Sequence, residues 1–265
     1  MPPTPQDHDA PPVGRRTAGA GPVALFLHGL GGSRTAWEPQ LGGLADVRTC
    51  VAWDMPGYGV STGSPDSFAS VAAAAAGLAR ELSSEPVDVV GLSLGGMVAQ
   101  HLALDHPDVV RSLVLLDTSP AFGLDGTTTA QSWLDARLGP LAAGATPADM
   151  APAVIGAIVG PAATDAQRAE AVAAMSRIPA AALRAACGML VTHDTRSRLP
   201  GIGCPTLVVV GEHDEETPPA YAQVIADLVP GARLEVVPGA GHLANLEQPD
   251  LVNEIVRTFW KGLDA

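Results

Sequence analysis

The sequence predicts an α/β fold: a doubly wound, mostly parallel sheet with a helical cap inserted into it. Three observations predict it. Short continuous apolar runs recur along the chain, stretches of helical composition separate them, and one interval is far longer than the others. Continuous rather than alternating apolarity is what strands need when helices cover both faces of a parallel sheet. Regular alternation of such runs with helical stretches gives the βαβ pattern of a doubly wound sheet.

In chain order, the first 22 residues are rich in Pro, Gly and polar groups, and Pro2, Pro3, Pro5, Pro11 and Pro12 oppose regular pairing. Residues 1–22 are therefore expected to form an extended or disordered arm. Strand-length apolar runs follow at 23–27, 49–53, 87–90, 113–116, 207–210 and 234–237, with helical stretches at 68–82, 94–104, 219–228 and 250–260. Between the strand ending at Leu116 and the one beginning at Leu207 lie 90 residues, whereas a βαβ unit takes about 30 in all. The excess reads as short helices at 133–138, 149–158, 165–178 and 180–191, broken by Pro147, Pro161 and Pro179. The expected organisation is a core of 23–117 and 200–265 with a cap of 118–199.

Composition bounds the function. A chain of 265 residues can bury a substantial core without disulfides or metals. With 47% hydrophobic and 16% charged residues it is too apolar for disorder, and no apolar run approaches the roughly 18 residues that span a bilayer. No membrane span is expected. Asp7 and Asp9 stand where a secretory signal would need a basic start and an apolar stretch, so no export signal is expected either. Cys50, Cys187 and Cys204 are an odd, widely spaced set without a C-x-x-C pair, which suggests neither a disulfide framework nor a zinc site and fits a cytoplasmic location. The net charge of −13 opposes binding to nucleic acid or anionic lipid. A neutral small molecule is the expected partner, and nothing in the sequence calls for a metal or cofactor.

The pattern G-x-S-x-G occurs twice, and context separates the two. Gly59-Val60-Ser61-Thr62-Gly63 lies in a loop with no strand feeding it. Gly91-Leu92-Ser93-Leu94-Gly95 directly follows a strand and opens a helix, the arrangement that presents a nucleophilic hydroxyl on a sharp turn. Ser93 is therefore the candidate nucleophile, with a helix N-terminus adding positive potential beside it.

A serine hydroxyl needs a base of near-neutral pKa, and histidine is the natural choice. His242, in Gly239-Ala240-Gly241-His242, lies just beyond the last strand, where open α/β sheets place their sites. His101 falls inside a helix, His106 at its end before Pro107, His193 in a polar loop and His8 in the arm. His28 ends the first strand and is expected to shape a loop. The base in turn needs a carboxylate to hold its tautomer. Asp214, in Gly211-Glu212-His213-Asp214, emerges from the same sheet edge and is preferred over Asp117, Glu212, Glu215 and Asp54, the last expected to brace its own turn. For a developing oxyanion, two backbone N–H groups would serve: that of Leu94, after the nucleophile, and that of Leu30, between Gly29 and Gly31. A phosphate-cradling role for this glycine-rich loop is disfavoured, since it lacks the lysine of a P-loop and the G-x-G-x-x-G spacing.

With the elbow, His28-Gly29-Leu30-Gly31-Gly32, Asp54 to Gly59, His106-Pro107, Pro205-Thr206-Leu207, Gly211 to Asp214 and Gly241-His242, residues 23–260 resemble the α/β-hydrolase superfamily. Leu246-Glu247-Gln248-Pro249 and the spacing are similar to 3-oxoadipate enol-lactonases and related small esterases with a four-helix cap. The order Ser, Asp, His along the chain is the one this resemblance implies. Epoxide hydrolases and dehalogenases of similar architecture carry Asp at the position of Ser93. The resemblance implies hydrolysis of a carboxylic ester or lactone of a small molecule through an acyl-enzyme on Ser93. Alternatives are C–C bond hydrolysis, although the Gly-Pro-Gly usual in that group's oxyanion loop is absent, and a non-hydrolytic ligand-binding or lyase activity. The cap's large apolar residues, Trp133, Met150, Met175 and Met189, are expected to serve as core before pocket.

Overall fold

Each continuous apolar run becomes a strand of one sheet. This computed structural model describes residues 5–8 and 13–265. The strands are β1 (Gln6–His8), β2 (Arg15–Ala18), β3 (Val23–Leu27), β4 (Thr49–Trp53), β5 (Val87–Leu92), β6 (Val110–Leu116), β7 (Thr206–Gly211) and β8 (Arg233–Val237). They lie in the order β1-β2-β4-β3-β5-β6-β7-β8; β1, β2 and β4 pair antiparallel and every pair from β4 to β8 is parallel. The helices are α1 (Glu38–Gly43), α2 (Phe68–Leu82), α3 (Leu94–Asp105), α4 (Ala130–Ala142), α5 (Pro147–Ile158), α6 (Asp165–Ser176), α7 (Ala180–Leu190), α8 (Pro219–Leu228), α9 (Ala244–Glu247) and α10 (Pro249–Asp264).

The sheet is covered on both faces, which is why its central strands carry no polar alternation. Leu25 and Leu27 of β3 pack with Val71 and Leu78 of α2 and Val98 of α3, whereas Ala24 and Phe26 pack with Trp37 and with Val256 and Trp260 of α10. Because β4 lies on one side of β3 and β5 on the other, the winding reverses between β3 and β5. The loops leaving those two strands diverge and open a crevice at their carboxyl ends.

Two expectations need correction. The arm of residues 1–22 is not without regular pairing: Gln6–His8 pairs with β2, and Arg15–Ala18 pairs with β4 from Arg15↔Trp53 to Ala18↔Cys50. Arg15–Ala18 contains no proline, so its N–H groups can join an edge that β4 leaves open. Pro2, Pro3, Pro11 and Pro12 lie outside the described residues. The helices between β6 and β7, all within residues 118–199, also differ in extent from their expected limits. The Thr129 side chain accepts from the Ser132 N–H and starts α4 early, while Pro147 opens α5 in the first turn, where its missing N–H costs nothing.

One buried charge cluster ties the amino-terminal ends of the central strands together. Asp88 on β5 is fully buried; its carboxylate accepts from Arg48 Nε at 2.7 Å, Arg111 Nε at 2.9 Å and Ser112 Oγ at 2.6 Å. Asp88→Ala is expected to destabilise the protein by about 3 kcal/mol, since it leaves the buried Arg48 Nε and Ser112 Oγ without their acceptor and Arg48 with only Asp264 as counter-ion. Urea unfolding would show this as a lower midpoint at unchanged slope. A midpoint equal to that of the parent protein would contradict it.

Candidate active site

Ser93 stands between β5 and α3 with φ 54° and ψ −120°, a conformation that L-residues adopt only under constraint. The glycines around it make the turn feasible. A Cβ on Gly91 would lie 2.7 Å from the Gly96 Cα, one on Gly95 2.6 Å from the His28 carbonyl oxygen, and one on Gly96 2.7 Å from Thr118 Cβ. Helix α3 can therefore begin against β3 and β6 only without side chains at these positions. Its first residue, Leu94, has an N–H with no partner inside the helix.

From 149 residues further along the chain, the His242 imidazole reaches this hydroxyl, with Nε2 2.9 Å from Ser93 Oγ. Its other nitrogen, Nδ1, is 2.9 Å from Asp214 Oδ2. Asp214 is held in turn: its Oδ1 accepts from the Glu216 and Thr217 N–H groups, both at 2.9 Å, and its Oδ2 accepts from Thr217 Oγ1 at 2.8 Å. Burial alone would lower the His242 pKa. The charge and hydrogen bond of Asp214, with Asp117 and Glu216 behind them, outweigh burial and raise it to about 9. Burial works the opposite way on Asp214, but the adjoining imidazole and the Thr217 donors hold its carboxyl below the usual range. In the neutral ring an ionised acid thus fixes the proton on Nδ1 and turns the lone pair of Nε2 toward Ser93.

The loop after β3 faces the same turn. The Gly29 carbonyl accepts from the Gly32 N–H at 3.0 Å and from His28 Nδ1 at 2.8 Å. His28 Nε2 accepts from the Met55 N–H at 3.0 Å, and burial lowers the ring's pKa, so the neutral ring carries its proton on Nδ1. In a trans peptide the Leu30 N–H points opposite to that pinned carbonyl. Tyr58 OH donates to the Leu30 carbonyl at 3.0 Å and fixes the next peptide. Leu30 borders the cavity that Ser93 and His242 share.

That cavity has two lobes meeting at Ser93 and His242. One, of about 120 Å³, lies beneath α5, α6 and α7 and is lined by apolar side chains such as Met150, Ile155, Met175 and Leu183. The other, of about 310 Å³, is polar, with Ser119, Asp125, Glu215 and Tyr221 on its walls. Arg137 of α4 borders both, pairs with Glu216 across the gap and stacks on Trp133 at 5.4 Å. Trp133, Met150 and Met175 are wall residues of the apolar lobe, while Met189 packs in the core. Burial pushes the Cys187 thiol, also on that wall, up to about 11, so it offers no competing thiolate. Among the described residues no group of three or more His, Cys, Asp or Glu side chains is placed to hold a metal ion, and no helix is long and apolar enough to cross a membrane.

The profile of the alpha/beta hydrolase family matches residues 24–255. The chain belongs to that family. Among its relatives, a pimeloyl-[acyl-carrier protein] methyl ester esterase of Chromobacterium violaceum is 34% identical over 85% of this chain and 89% of its own length. A candidate carbamate hydrolase of Variovorax paradoxus, RutD, is 32% identical over 92% of this chain and 94% of its own. The crystal structure of the enol-lactonase from Burkholderia xenovorans LB400 superposes with a TM-score of 0.85 over 97% of this chain and 100% of that one, at 22% identity, which speaks to the fold.

In this α/β-hydrolase none of the rival residues joins the hydrogen-bonded chain of Asp214, His242 and Ser93. Ser61 is buried, donates to the Asp54 carbonyl at 2.6 Å and accepts from the Gly14 N–H at 2.9 Å, so it ties a loop together. Asp54 accepts from the Arg34 N–H at 2.9 Å and braces its turn. His101 stacks on Phe68 at 4.5 Å and His193 Nε2 bonds the Ser119 carbonyl at 2.9 Å; both are packing residues, with pKa values lowered by burial. Glu212 accepts from the Gly239 N–H, and Glu215 sits on the rim of the polar lobe.

Three further groups brace the site, of which the sequence signalled Asp117 only as a rival to Asp214 and gave no role to Thr217 or Glu247. Thr217 clamps Asp214, and the D-x-x-T spacing before Pro218-Pro219 is its only local sign. Asp117, fully buried at φ 45°, accepts from the Gly211 N–H at 2.8 Å and the Ala244 N–H at 3.0 Å, joining the ends of β6, β7 and α9. Burial, reinforced by the Asp214 charge, pushes its pKa up to about 8. Glu247, the third, is buried and accepts from the Gly241 and Leu243 N–H groups on either side of His242.

Proposed function

We propose that this α/β-hydrolase cleaves a carboxylic ester or lactone of a small molecule through an acyl-enzyme on Ser93, with His242 as general base and Asp214 as its orienting acid. The observation that carries this reading is the unbroken chain of hydrogen bonds from Asp214 through His242 to Ser93, ending in a cavity with an apolar lobe. As Ser93 Oγ bonds to the substrate carbonyl carbon, its proton passes to His242 Nε2. The carbonyl oxygen becomes an oxyanion that accepts from the Leu30 and Leu94 N–H groups, which are fixed before the reaction begins. Collapse of this intermediate expels the alkoxide, which takes the proton from His242. Water then repeats the sequence on the acyl-enzyme, giving up a proton to His242 and releasing the acid and Ser93. In a lactone the alcohol remains joined to the acyl chain, so one hydroxy acid leaves. The names of the two relatives, one a methyl ester esterase and one a carbamate hydrolase candidate, support a carbonyl bearing a heteroatom leaving group.

A fluorophosphonate probe followed by mass mapping tests the reading. The expected result is one modified serine, Ser93, and loss of hydrolysis of an activated short-chain ester in step with labelling. Modification at Ser61 in its place would overturn the site.

A further inference from the structure

Glu247 lies in the segment Leu246-Glu247-Gln248-Pro249, which carries no part of the chemistry above, yet its carboxylate is only 4% exposed. Its partners explain the burial. Oε2 accepts from the Gly241 N–H at 3.0 Å and from the Gly160 N–H at 2.7 Å, and Oε1 accepts from the Leu243 N–H at 3.0 Å. Gly241 and Leu243 flank His242; Gly160 follows the end of α5. A buried carboxylate with three charge-assisted N–H donors forms a rigid unit, because losing any one of them leaves charge and donor unpaired away from water.

The same junction is stitched at further points. The His242 N–H itself donates to the Ile158 carbonyl at 2.9 Å. Gln167 Nε2 of α6 donates to the Leu246 carbonyl at 2.6 Å, and Arg168 Nη2 donates to the Gly160 carbonyl at 3.1 Å. A Cβ on Gly241 would lie 2.7 Å from the Ile158 oxygen, so the two backbones are in direct contact. On its other side α5 presents Val154, Ile155 and Ile158 to the apolar lobe.

We propose that Glu247 is a positioning residue that joins the His242 backbone and the end of α5 into one unit, so that the seat of the helical layer over the substrate and the placement of the base are set together. The inference rests on His242 being the base. What Glu247 contributes is the registry of an imidazole that must lie within hydrogen-bond reach of both Ser93 and Asp214, a geometry in which displacement of about 1 Å costs on the order of 100-fold in rate.

Glu247→Gln preserves shape but replaces one acceptor oxygen by an NH2 group, which then faces at least one of the three N–H donors. Turnover of an activated ester, divided by the number of serines titrated with fluorophosphonate, is expected to fall 10- to 100-fold while KM stays within three-fold. A purely structural role would lower the titrated fraction and leave turnover per titrated site unchanged, and that result overturns the proposal. His242→Ala separates the two levels: if it retains wild-type turnover the proposed chemistry fails, whereas an inactive His242→Ala beside a fully active Glu247→Gln sinks this inference alone. Should Glu247→Gln not fold, amide hydrogen exchange in the wild-type protein decides. Gly160, Gly241 and Leu243 are expected to share one protection factor relative to their intrinsic exchange rates, raised together when Ser93 carries a long-chain phosphonate. A protection factor at Gly160 ten-fold below those of the other two would refute the shared unit.

Discussion

Ser93→Ala is expected to lower turnover of an ester substrate by about 10⁶-fold, the loss that follows when a serine nucleophile is removed from a hydrogen-bonded triad. Oγ is the atom to which the acyl group would be joined, so nothing else in the apolar cavity replaces it. Cys187 is held as a thiol, and Ser61 spends its hydroxyl on the Asp54 carbonyl. The residual rate should still exceed that in water, because the Leu30 and Leu94 N–H groups proposed to stabilise an oxyanion remain in place. Folding should be little affected: the backbone strain at φ 54° is the same for alanine, and the lost Ser93–His242 hydrogen bond is worth about 1 kcal/mol. Steady-state kinetics beside a thermal melt separate the two effects. Activity within ten-fold of the parent, at unchanged melting temperature, would place the nucleophile elsewhere.

Asp214→Asn is expected to cost about 10⁴-fold through the wrong tautomer of His242. The Glu216 and Thr217 N–H groups demand an oxygen at the Oδ1 position, so the amide nitrogen falls where Oδ2 now meets His242 Nδ1. It can only donate there. The imidazole then carries its proton on Nε2 and has no lone pair for the Ser93 proton. The same variant changes the pH profile in a definite direction. A base acts when neutral, and the His242 pKa is raised from the usual 6.5 to about 9. Activity of the wild-type protein should therefore rise with pH, its acid limb lying above 6.5 and extending toward 9. Removing the Asp214 charge removes the largest influence that raises this pKa, so the acid limb of the variant's residual activity should move to lower pH. Profiles of kcat/KM against pH for the two proteins measure this directly. An unmoved limb would mean that Asp214 does not govern the ionisation of His242.

Glycine spacing made the Ser93 turn legible. Gly91, Gly95 and Gly96 leave a mark in the sequence because their lack of a side chain is what the turn requires, and the apolar run before them separates Ser93 from Ser61. Asp214 and His242 were legible for a related reason: each follows a strand whose apolar run is unmistakable, so its sheet edge is known before its partners are. The same reasoning failed within residues 1–22, because a short strand next to the sheet's edge such as Arg15–Ala18 is defined by the open side of β4 rather than by any pattern of its own. It also passed over the short helices α1 and α9, which are too brief to show a helical period.

Buried carboxylates were the least legible part. Asp117 and Glu247 are of the same residue types that cover the solvated surface, and their partners stand 94 and 127, or 87, residues away as well as nearby. No local pattern distinguishes an acid that collects backbone N–H groups in the interior from one that faces water.

By itself, then, the sequence determined the parallel α/β architecture, the site of the sharp serine turn and the strand ends from which an acid and an imidazole emerge. These follow from side-chain size and apolarity over a few consecutive residues, which the backbone responds to locally. Only the tertiary structure decided that the three groups meet within hydrogen-bond distance, that two buried carboxylates lock the loops bearing them, and that the cavity divides into an apolar and a polar lobe. Those are matters of distance between segments far apart in the chain, fixed by how the layers pack against one another.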